Sequence, residues 1–265
     1  MTEGAAHIPE ETATLTRGAE MPLLGFGTWQ ITGEDAVRAT SDALAVGYRH
    51  LDTATIYGNE REVGLAVARS GVPREDVFVT TKCPPERAGR ELDTLHESLE
   101  RLQMDHVDLW LIHWPGRGLV TVDMWRAFVE AHEAGLAREI GVSNFDPELM
   151  DAITKETGVM PAVNQIKWSP LLFDAQTLAD HRARGIALEG YSGLRGGTIQ
   201  HPAIRAIAEQ AGRTPAQVII RWHLQHGVVV IPKSAHPDRI RTNADVAHFR
   251  LTDEDMATLD ALGKG

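Results

Sequence analysis

Val77-Phe-Val-Thr-Thr-Lys82 and Val107-Asp-Leu-Trp-Leu-Ile-His113 are short runs of β-branched and aromatic residues, and between them Leu92, Leu95, Leu99 and Leu102 recur at helical spacing. A strand, an amphipathic helix and a second strand form the unit that joins parallel strands, because such strands need a crossover connection rather than a tight turn. Working outward, the same alternation predicts strands at Gly25–Trp29, Tyr48–Asp52, Val77–Thr81, Val107–His113, Arg138–Val142, Ala162–Ile166, Ala187–Tyr191 and Val228–Ile231. Helical spacing fills the gaps, as at Ala36, Ala39, Ala43, Leu44 and Val46. About eight such units make an α/β protein of the (β/α)8 or TIM-barrel class. Ahead of the first unit, Thr12–Arg17 and Met21–Leu24 flank a Gly-Ala-Glu turn and predict a β-hairpin closing one barrel end.

The chain has 265 residues, a length that one barrel accommodates undivided, and no Pro/Ser-rich linker or shift of composition breaks it. The expected organisation is a flexible N-terminal segment over 1–11 and a single barrel domain over 12–265. A hydrophobic share of 43% and a charged share of 24% are those of a folded globular protein. The formal net charge of −11 argues against a nucleic-acid partner, which requires clustered positive charge. Apolar runs such as Val228 to Pro232 are far shorter than a membrane span, so no membrane association is expected. Met1 to Arg17 carries three glutamates and no apolar stretch, unlike a secretory signal, which leaves a cytoplasmic location by elimination. Cys83 is the only cysteine, ruling out an intrachain disulfide or a Cys-rich zinc site. A monomer acting on a small molecule is expected.

In such a barrel the functional side chains gather where strands run into the following loops, at the C-terminal face. There Asp52 ends one strand and Tyr57 follows in its loop, Lys82 closes the next strand, and His113 closes the one after. Each alone has an ordinary structural alternative, as a cap, a packed ring, a solvated cation or a backbone-bonded imidazole. Together they supply a complete acid-catalysis set. A phenol with its usual pKa of about 10 is a weak acid near neutral pH, and a Lys ammonium at ~4 Å is worth about 4 kcal/mol at an effective dielectric of 20, or roughly three pKa units before opposing effects. Lys82 is therefore expected to lower the Tyr57 pKa, with Asp52 opposing part of this while holding Lys82 charged. A neutral His113 would orient a substrate carbonyl by hydrogen bonding.

Three segments carry a resemblance over Ala13 to Leu262. They are Gly47-Tyr-Arg-His-Leu-Asp-Thr-Ala-Thr-Ile-Tyr-Gly-Asn-Glu60 with Val63-Gly64, then Glu139-Ile-Gly-Val-Ser-Asn-Phe145, then Ile231-Pro-Lys-Ser234 followed by Arg239 and Asn243. On these the chain resembles the aldo-keto reductases, in particular the prokaryotic branch of the 2,5-diketo-D-gluconate reductases. The resemblance implies an enzyme that reduces aldehydes or ketones with NADPH, Asp52, Tyr57, Lys82 and His113 being its catalytic tetrad. It implies that Ser143, Asn144 and Gln165 hold the nicotinamide carboxamide, that Tyr191 stacks on the ring, and that Ser192, Leu194 and Asn243 also bind NADPH/NADP+. It places Trp29 and Trp114 beside Tyr57 and His113 on the substrate wall. Lys233, Ser234 and Arg239 fit the 2′-phosphate by the same resemblance, a guanidinium being able to grip a phosphate with two hydrogen bonds. No Gly-x-Gly-x-x-Gly run opens a helix after the first strand, which disfavours a Rossmann dehydrogenase.

Two positions depart from the family pattern. Gly193 replaces the proline common after Tyr-Ser, and Thr242 stands where many members carry a glutamate near the adenine. The connection after His113, the stretch Arg195-Gly-Gly-Thr198 and the end at Gly265 are all short, so an open substrate site is expected. His223 and His226 have no metal partners in the sequence, so surface or cap roles are expected and no metal site. Cys83 is expected to be a small buried thiol, with oxidant sensing the alternative if Lys82 lowers its pKa. Two other functions compete: a regulatory protein of this fold that binds the cofactor with little turnover, and a barrel isomerase of sugar phosphates with Lys233 and Ser234 holding substrate phosphate.

Overall fold

The computed structural model describes residues 8–116 and 119–263. The chain begins with the expected hairpin, β1 (Thr12–Thr14) against β2 (Glu20–Pro22), with Ala13 opposite Met21. The Thr12 and Thr14 hydroxyls both donate to the Glu20 carboxylate, at 2.5 and 2.7 Å, tying the two strands side chain to side chain. Arg17 at the hairpin tip closes one end of the barrel. Its backbone N–H and its guanidinium each donate to the Glu139 carboxylate at 3.0 Å, and Glu139 is wholly buried, so the tip partners a carboxylate that would otherwise lie unpaired in the interior. Of the segment expected to be flexible, residues 1–7 lie outside the described residues. Glu11 is held: its carbonyl accepts from the Leu23 N–H at 2.9 Å and its carboxylate pairs with Arg221 at 2.8 Å.

Eight parallel strands follow, β3 (Phe26–Gly27), β4 (His50–Asp52), β5 (Phe78–Cys83), β6 (Val107–Ile112), β7 (Ala137–Ser143), β8 (Val163–Lys167), β9 (Ala187–Tyr191) and β10 (Val229–Val230), each paired with its neighbour in sequence. The barrel closes where Leu24 pairs with Val230 and the Gly25 N–H donates to the Val230 carbonyl at 2.9 Å. All eight strands lie where the sequence predicts them. β3, β4 and β10 are shorter than expected. Pro232 carries no N–H, so the ladder cannot continue beyond β10 from its own side. Gly27 still donates to the Pro232 carbonyl at 3.1 Å, and a Cβ on Gly27 would come within 2.8 Å of the Ile231 carbonyl oxygen.

The helices are α1 (Gly33–Val46), α2 (Glu60–Arg69), α3 (Glu91–Leu102), α4 (Leu119–Glu133), α5 (Pro147–Thr157), α6 (Ala175–Arg184), α7 (Pro202–Gln210), α8 (Pro215–Gln225), α9 (Pro237–Ala244) and α10 (Asp253–Asp260). Their limits follow local chemistry. Asp146 and Asp174 cap α5 and α6, and Thr214 with Gln217 and Thr252 with Asp255 form capping boxes on α8 and α10. Gly64 marks the closest helix approach, since a Cβ there would overlap the Leu102 carbonyl where α2 crosses α3. Between β6 and α4 the Trp110 and Phe128 rings stack at 3.6 Å. A second cluster, with Trp168, Leu188, Ile204 and Trp222, packs under α7 and α8.

His223 departs from its expected surface or cap role. It is fully buried, its Nδ1 paired with the Ile219 carbonyl at 2.7 Å, because α8 is covered on all sides from Gln217 to Leu224. His226 follows α8 as its C-cap residue and pairs with Asp260 at 2.8 Å, fastening α10.

Candidate active site

Parallel pairing puts side chains of equal register on the same face, and β4 turns His50 and Asp52 into the barrel while β5 turns Thr80 and Lys82. After Asp52 the chain enters one 3-10 turn, Thr55–Tyr57, ended by Gly58 at φ 65°. Asn59 pins this loop from below: its amide donates to the Thr28 and Ile31 carbonyls at 2.9 and 2.8 Å and accepts from the Thr53 hydroxyl at 2.6 Å. The Thr55 hydroxyl donates to the Lys82 carbonyl at 2.7 Å. Tyr57 is thereby set beside the end of β5.

Lys82 Nζ is 2.7 Å from both Asp52 oxygens, 2.9 Å from the Thr53 carbonyl and 3.4 Å from the Tyr57 hydroxyl, with its charge 4.9 Å from the Tyr57 ring centroid. Asp52 also accepts from the Gln165 amide at 2.9 Å. Lys82 has no exposed surface, so this ion pair is held in the interior with its hydrogen bonds made, the condition under which buried charges persist. His113 packs its ring edge-on to Tyr57 at 5.7 Å.

The electrostatics differ from the sequence expectation at Tyr57. Burial works hardest on the phenol and raises its pKa above the ordinary value; Lys82 pulls it down, but Asp52 offsets part of that pull. Tyr57 is therefore a neutral phenol at working pH. Lys82 loses to burial and regains more from Asp52 and Tyr57, so its pKa is raised and it stays charged. Burial, then Lys82, drives His113 down to about 3, which leaves the imidazole neutral. Its Nδ1 is buried and without a hydrogen-bond partner among the described residues.

A cavity of about 860 Å³ adjoins this cluster. Asp52, Tyr57 and His113 line it together with Trp29 and Trp114. Lys82 does not; it lies behind Asp52 and Tyr57 and touches the cavity only through them. Ser143, Asn144, Gln165, Tyr191, Ser192 and Leu194 line the same cavity, as do Lys233, Ser234, Arg239 and Asn243. Every residue expected from the sequence to serve catalysis, cofactor or substrate is thus on one wall system or, for Lys82, directly behind it.

Several of these are locked by one another. The Ser143 hydroxyl and the Asn144 N–H both donate to the Gln165 carbonyl, at 2.7 and 3.0 Å, and the Tyr191 hydroxyl donates to the Asn144 side chain at 2.9 Å. Asn144 and Ser192 have φ of 60° and 58°, and Gln30 on the same cavity has 60°. Left-handed backbone on residues other than glycine costs on the order of 1–3 kcal/mol each, and such strain collects at functional sites.

The wall residues missed from the sequence include Gln30, Ile56, Arg195 and Ile199, and also Thr214, Ala216 and Asp238, the last a carboxylate on the same wall as Lys233 and Arg239. Ile56 could have been found, being an apolar residue in the loop beside Tyr57, and it is 52% exposed. Arg195 could not, because its meaning lies in a contact across the barrel: its guanidinium sits 4.7 Å over the Trp29 ring, so the mouth is narrower than short loops alone imply. The structure also accounts for Gly193. A Cβ there would stand 3.0 Å from His223 Cε1 and 3.3 Å from the Trp168 carbonyl, so the buried His223 occupies the room that a side chain would need. Cys83 is buried, and burial pushes its thiol up to about 12, which removes the oxidant-sensing alternative.

Residues 23–264 match the model of the aldo/keto reductase family. This chain belongs to the aldo/keto reductase family. It is 42% identical over 259 residues to the glyoxal reductase of Bacillus subtilis, covering 96% of this chain and 94% of that one. It is 41% identical over 255 residues to a methylglyoxal reductase of Escherichia coli, covering 95% and 93%. The crystal structure of an aldo/keto reductase from Brucella melitensis superposes with a TM-score of 0.92 at 41% identity, covering 96% of this chain and 99% of that one. Carbonyl reduction is accordingly the chemistry in which this aldo/keto reductase is to be understood. Among the described residues no helix is long and apolar enough to cross a membrane, and no cluster of metal-binding side chains occurs.

Proposed function

We propose that this aldo/keto reductase reduces small aldehydes, ketones and dicarbonyls to alcohols with NADPH, Tyr57 supplying the proton. The observation that carries the reading is the cluster of Asp52, Tyr57 and His113 on the wall of a cavity, backed by Lys82, that also reaches Lys233 and Arg239. Those two cations are exposed and pair with no carboxylate among the described residues, and they flank the buried Ser234 hydroxyl, a set suited to a dianionic phosphate. A cavity of about 860 Å³ is large enough for a dinucleotide's reactive half and a small substrate. NADPH fits these residues, and when bound its dihydronicotinamide supplies the hydride.

The protein's part is proton placement. Tyr57, kept neutral by burial, donates its O–H to the substrate carbonyl oxygen as negative charge develops there. Lys82, fixed by Asp52, stands 3.4 Å from the phenol oxygen and stabilises the phenolate that donation leaves. His113, neutral, offers a hydrogen bond that orients the carbonyl, while Trp29, Ile56 and Trp114 give an apolar wall. Ser143, Asn144 and Gln165, which line the same cavity, would hold the carboxamide, and Tyr191 would stack on the nicotinamide ring.

The relatives named for glyoxal and methylglyoxal favour small dicarbonyls, and the exposed Trp29 and Ile56 agree with a site that encloses little of its substrate. Little remote binding energy implies KM values on the order of millimolar, at the high end of the usual range, with several unrelated small carbonyls accepted. The test is loss of NADPH absorbance across α-keto aldehydes, diketones, aromatic aldehydes and keto sugars. One substrate with a low-micromolar KM and a ~10³-fold lead in kcat/KM over its neighbours would overturn the open-site reading. Tight NADPH binding with no turnover on any of them would overturn the enzyme in favour of a cofactor-binding sensor.

A further inference from the structure

Beneath the tetrad the barrel holds a second layer of polar side chains that the mechanism above does not use. Glu189 on β9 lies in register with Gln165 on β8 and Val229 on β10, so it faces the same interior as Asp52 and Lys82. It has no exposed surface, and neither carboxyl oxygen has a hydrogen-bond partner among the described residues. The Gln165 amide is the nearest help, but the bond it makes with sound geometry goes to Asp52 at 2.9 Å. The His50 ring faces Glu189, with its Nε2 3.8 Å from Oε1, beyond a hydrogen bond.

His50 cannot turn to serve as a cation there. Its Nδ1 is 3.2 Å from the Pro22 carbonyl, which can only accept, so the neutral ring carries its proton on Nδ1 and presents a lone pair at Nε2. The ring fills a slot left by Gly25, where a Cβ would come within 2.5 Å of Nδ1. The Thr80 hydroxyl, 3.4 Å from Nε2, is the remaining polar neighbour. The charged groups around Glu189 are then Asp52 and Lys82, which neutralise each other at 2.7 Å, with the Tyr57 phenol above them. A second carboxylate in this interior would have neither a cation nor a donor of its own, an arrangement that proteins avoid.

We propose that Glu189 is a positioning residue of the carbonyl-reducing site: a buried carboxylic acid that keeps its proton at neutral pH and, on losing it, weakens Tyr57 as an acid through the Lys82–Asp52 pair. This rests on the reductase reading above. The direction of each influence agrees. Burial and the Asp52 charge push Glu189 up to about 8 against the pull of Gln165 and Lys82, and burial brings His50 down to about 4, so the pair is neutral on both sides at pH 7. A charge on Glu189 raises the pKa of both Tyr57 and Lys82. The deprotonation is a simple loss of H+ to solvent that leaves one uncompensated negative charge in the barrel, opposing the alkoxide that forms as the substrate is reduced.

Two measurements on the full chain test it. The infrared spectrum should show the C=O stretch of a protonated carboxylic acid at pH 7, titrating away near pH 8 and absent in Glu189→Gln. The kcat/KM for a small aldehyde should fall as the pH passes about 8 in the wild type, and that bend should be missing in Glu189→Gln, whose value at pH 7 stays within about threefold of wild type. A wild-type protein with no such band at pH 7, or a Glu189→Gln profile that bends at the same pH, would overturn the proposal. The band needs no turnover, so a protein that shows it but reduces no carbonyl would overturn the reductase reading and, with it, the catalytic half of this inference.

Discussion

Tyr57 sits where opposing influences meet. From the sequence, Lys82 on the very next strand reads as a cation that makes the phenol more acidic. The structure confirms the neighbour at 3.4 Å but shows burial prevailing, an effect no spacing of residues reveals because it depends on what closes over the ring. The consequence is a donor that is fully protonated and gives up its proton only as the alkoxide forms. Tyr57→Phe removes that proton without touching the cavity's other walls, so kcat should fall by about 10²–10⁴ while NADPH affinity stays nearly unchanged. Retention of more than about a tenth of kcat would remove Tyr57 as the proton donor. Arg239 makes the complementary case for the cofactor. A 2′-phosphate deprived of its guanidinium loses a charge-assisted bond of ~1.5–3 kcal/mol, so Arg239→Ala should lower the ratio of kcat/KM with NADPH to that with NADH by roughly 10- to 150-fold. An unchanged ratio would place the phosphate elsewhere.

The barrel elements were legible because their signal is local. Leu92, Leu95, Leu99 and Leu102 lie on one face of α3, and the β-branched runs at β5 and β6 stand as predicted, so the alternation of elements followed from periodicity, and the expectation of Asp52, Lys82 and His113 at the rim from their places at strand ends of a barrel. What stayed hidden is the set of contacts between elements far apart in the chain. Arg195 over Trp29, Arg17 on Glu139 and the Glu189–His50 layer each join strands or loops that no pattern links. Gly193 belongs here too: its neighbour His223 comes from α8, 30 positions later by residue number, and the Gly193 gap is needed because that imidazole is held by the Ile219 carbonyl. Gly193→Ala should therefore cost about 1–3 kcal/mol of stability through overpacking. In the double variant with His223→Ala the loss should be clearly less than the sum of the two single losses, since removing the ring removes the obstruction. Urea unfolding of the four proteins measures this, and additive losses would show that the ring is not what excludes the side chain.

At the scale of the whole molecule, the polar interior predicts how stability varies with pH. His50, His113 and His223 are buried as neutral rings, with burial holding them to about 4, 3 and 4 against an ordinary 6.5. Below pH 6.5 the unfolded chain takes up protons at these three positions that the folded barrel refuses, so stability falls with acid down to about pH 4. Glu189 acts in the other sense. The folded barrel keeps its proton up to about 8 whereas the unfolded chain releases it near 4.5, so stability falls as pH rises between those values. Where the two ranges overlap, three histidines outweigh one carboxyl. Above 6.5 only the carboxyl remains, until Cys83, with an ordinary value of 9, begins to act. Stability should peak near pH 6.5 and decline on both sides, more steeply toward acid. In Glu189→Gln the alkaline decline between 6.5 and 8 should vanish while the acid limb is kept. Thermal midpoints taken from pH 4 to 9 at constant ionic strength decide the matter. A wild-type midpoint that stays level or climbs from pH 6.5 to 8 would mean that Glu189 is already ionised in the folded barrel, and that the interior carries a charge for which the structure provides no partner.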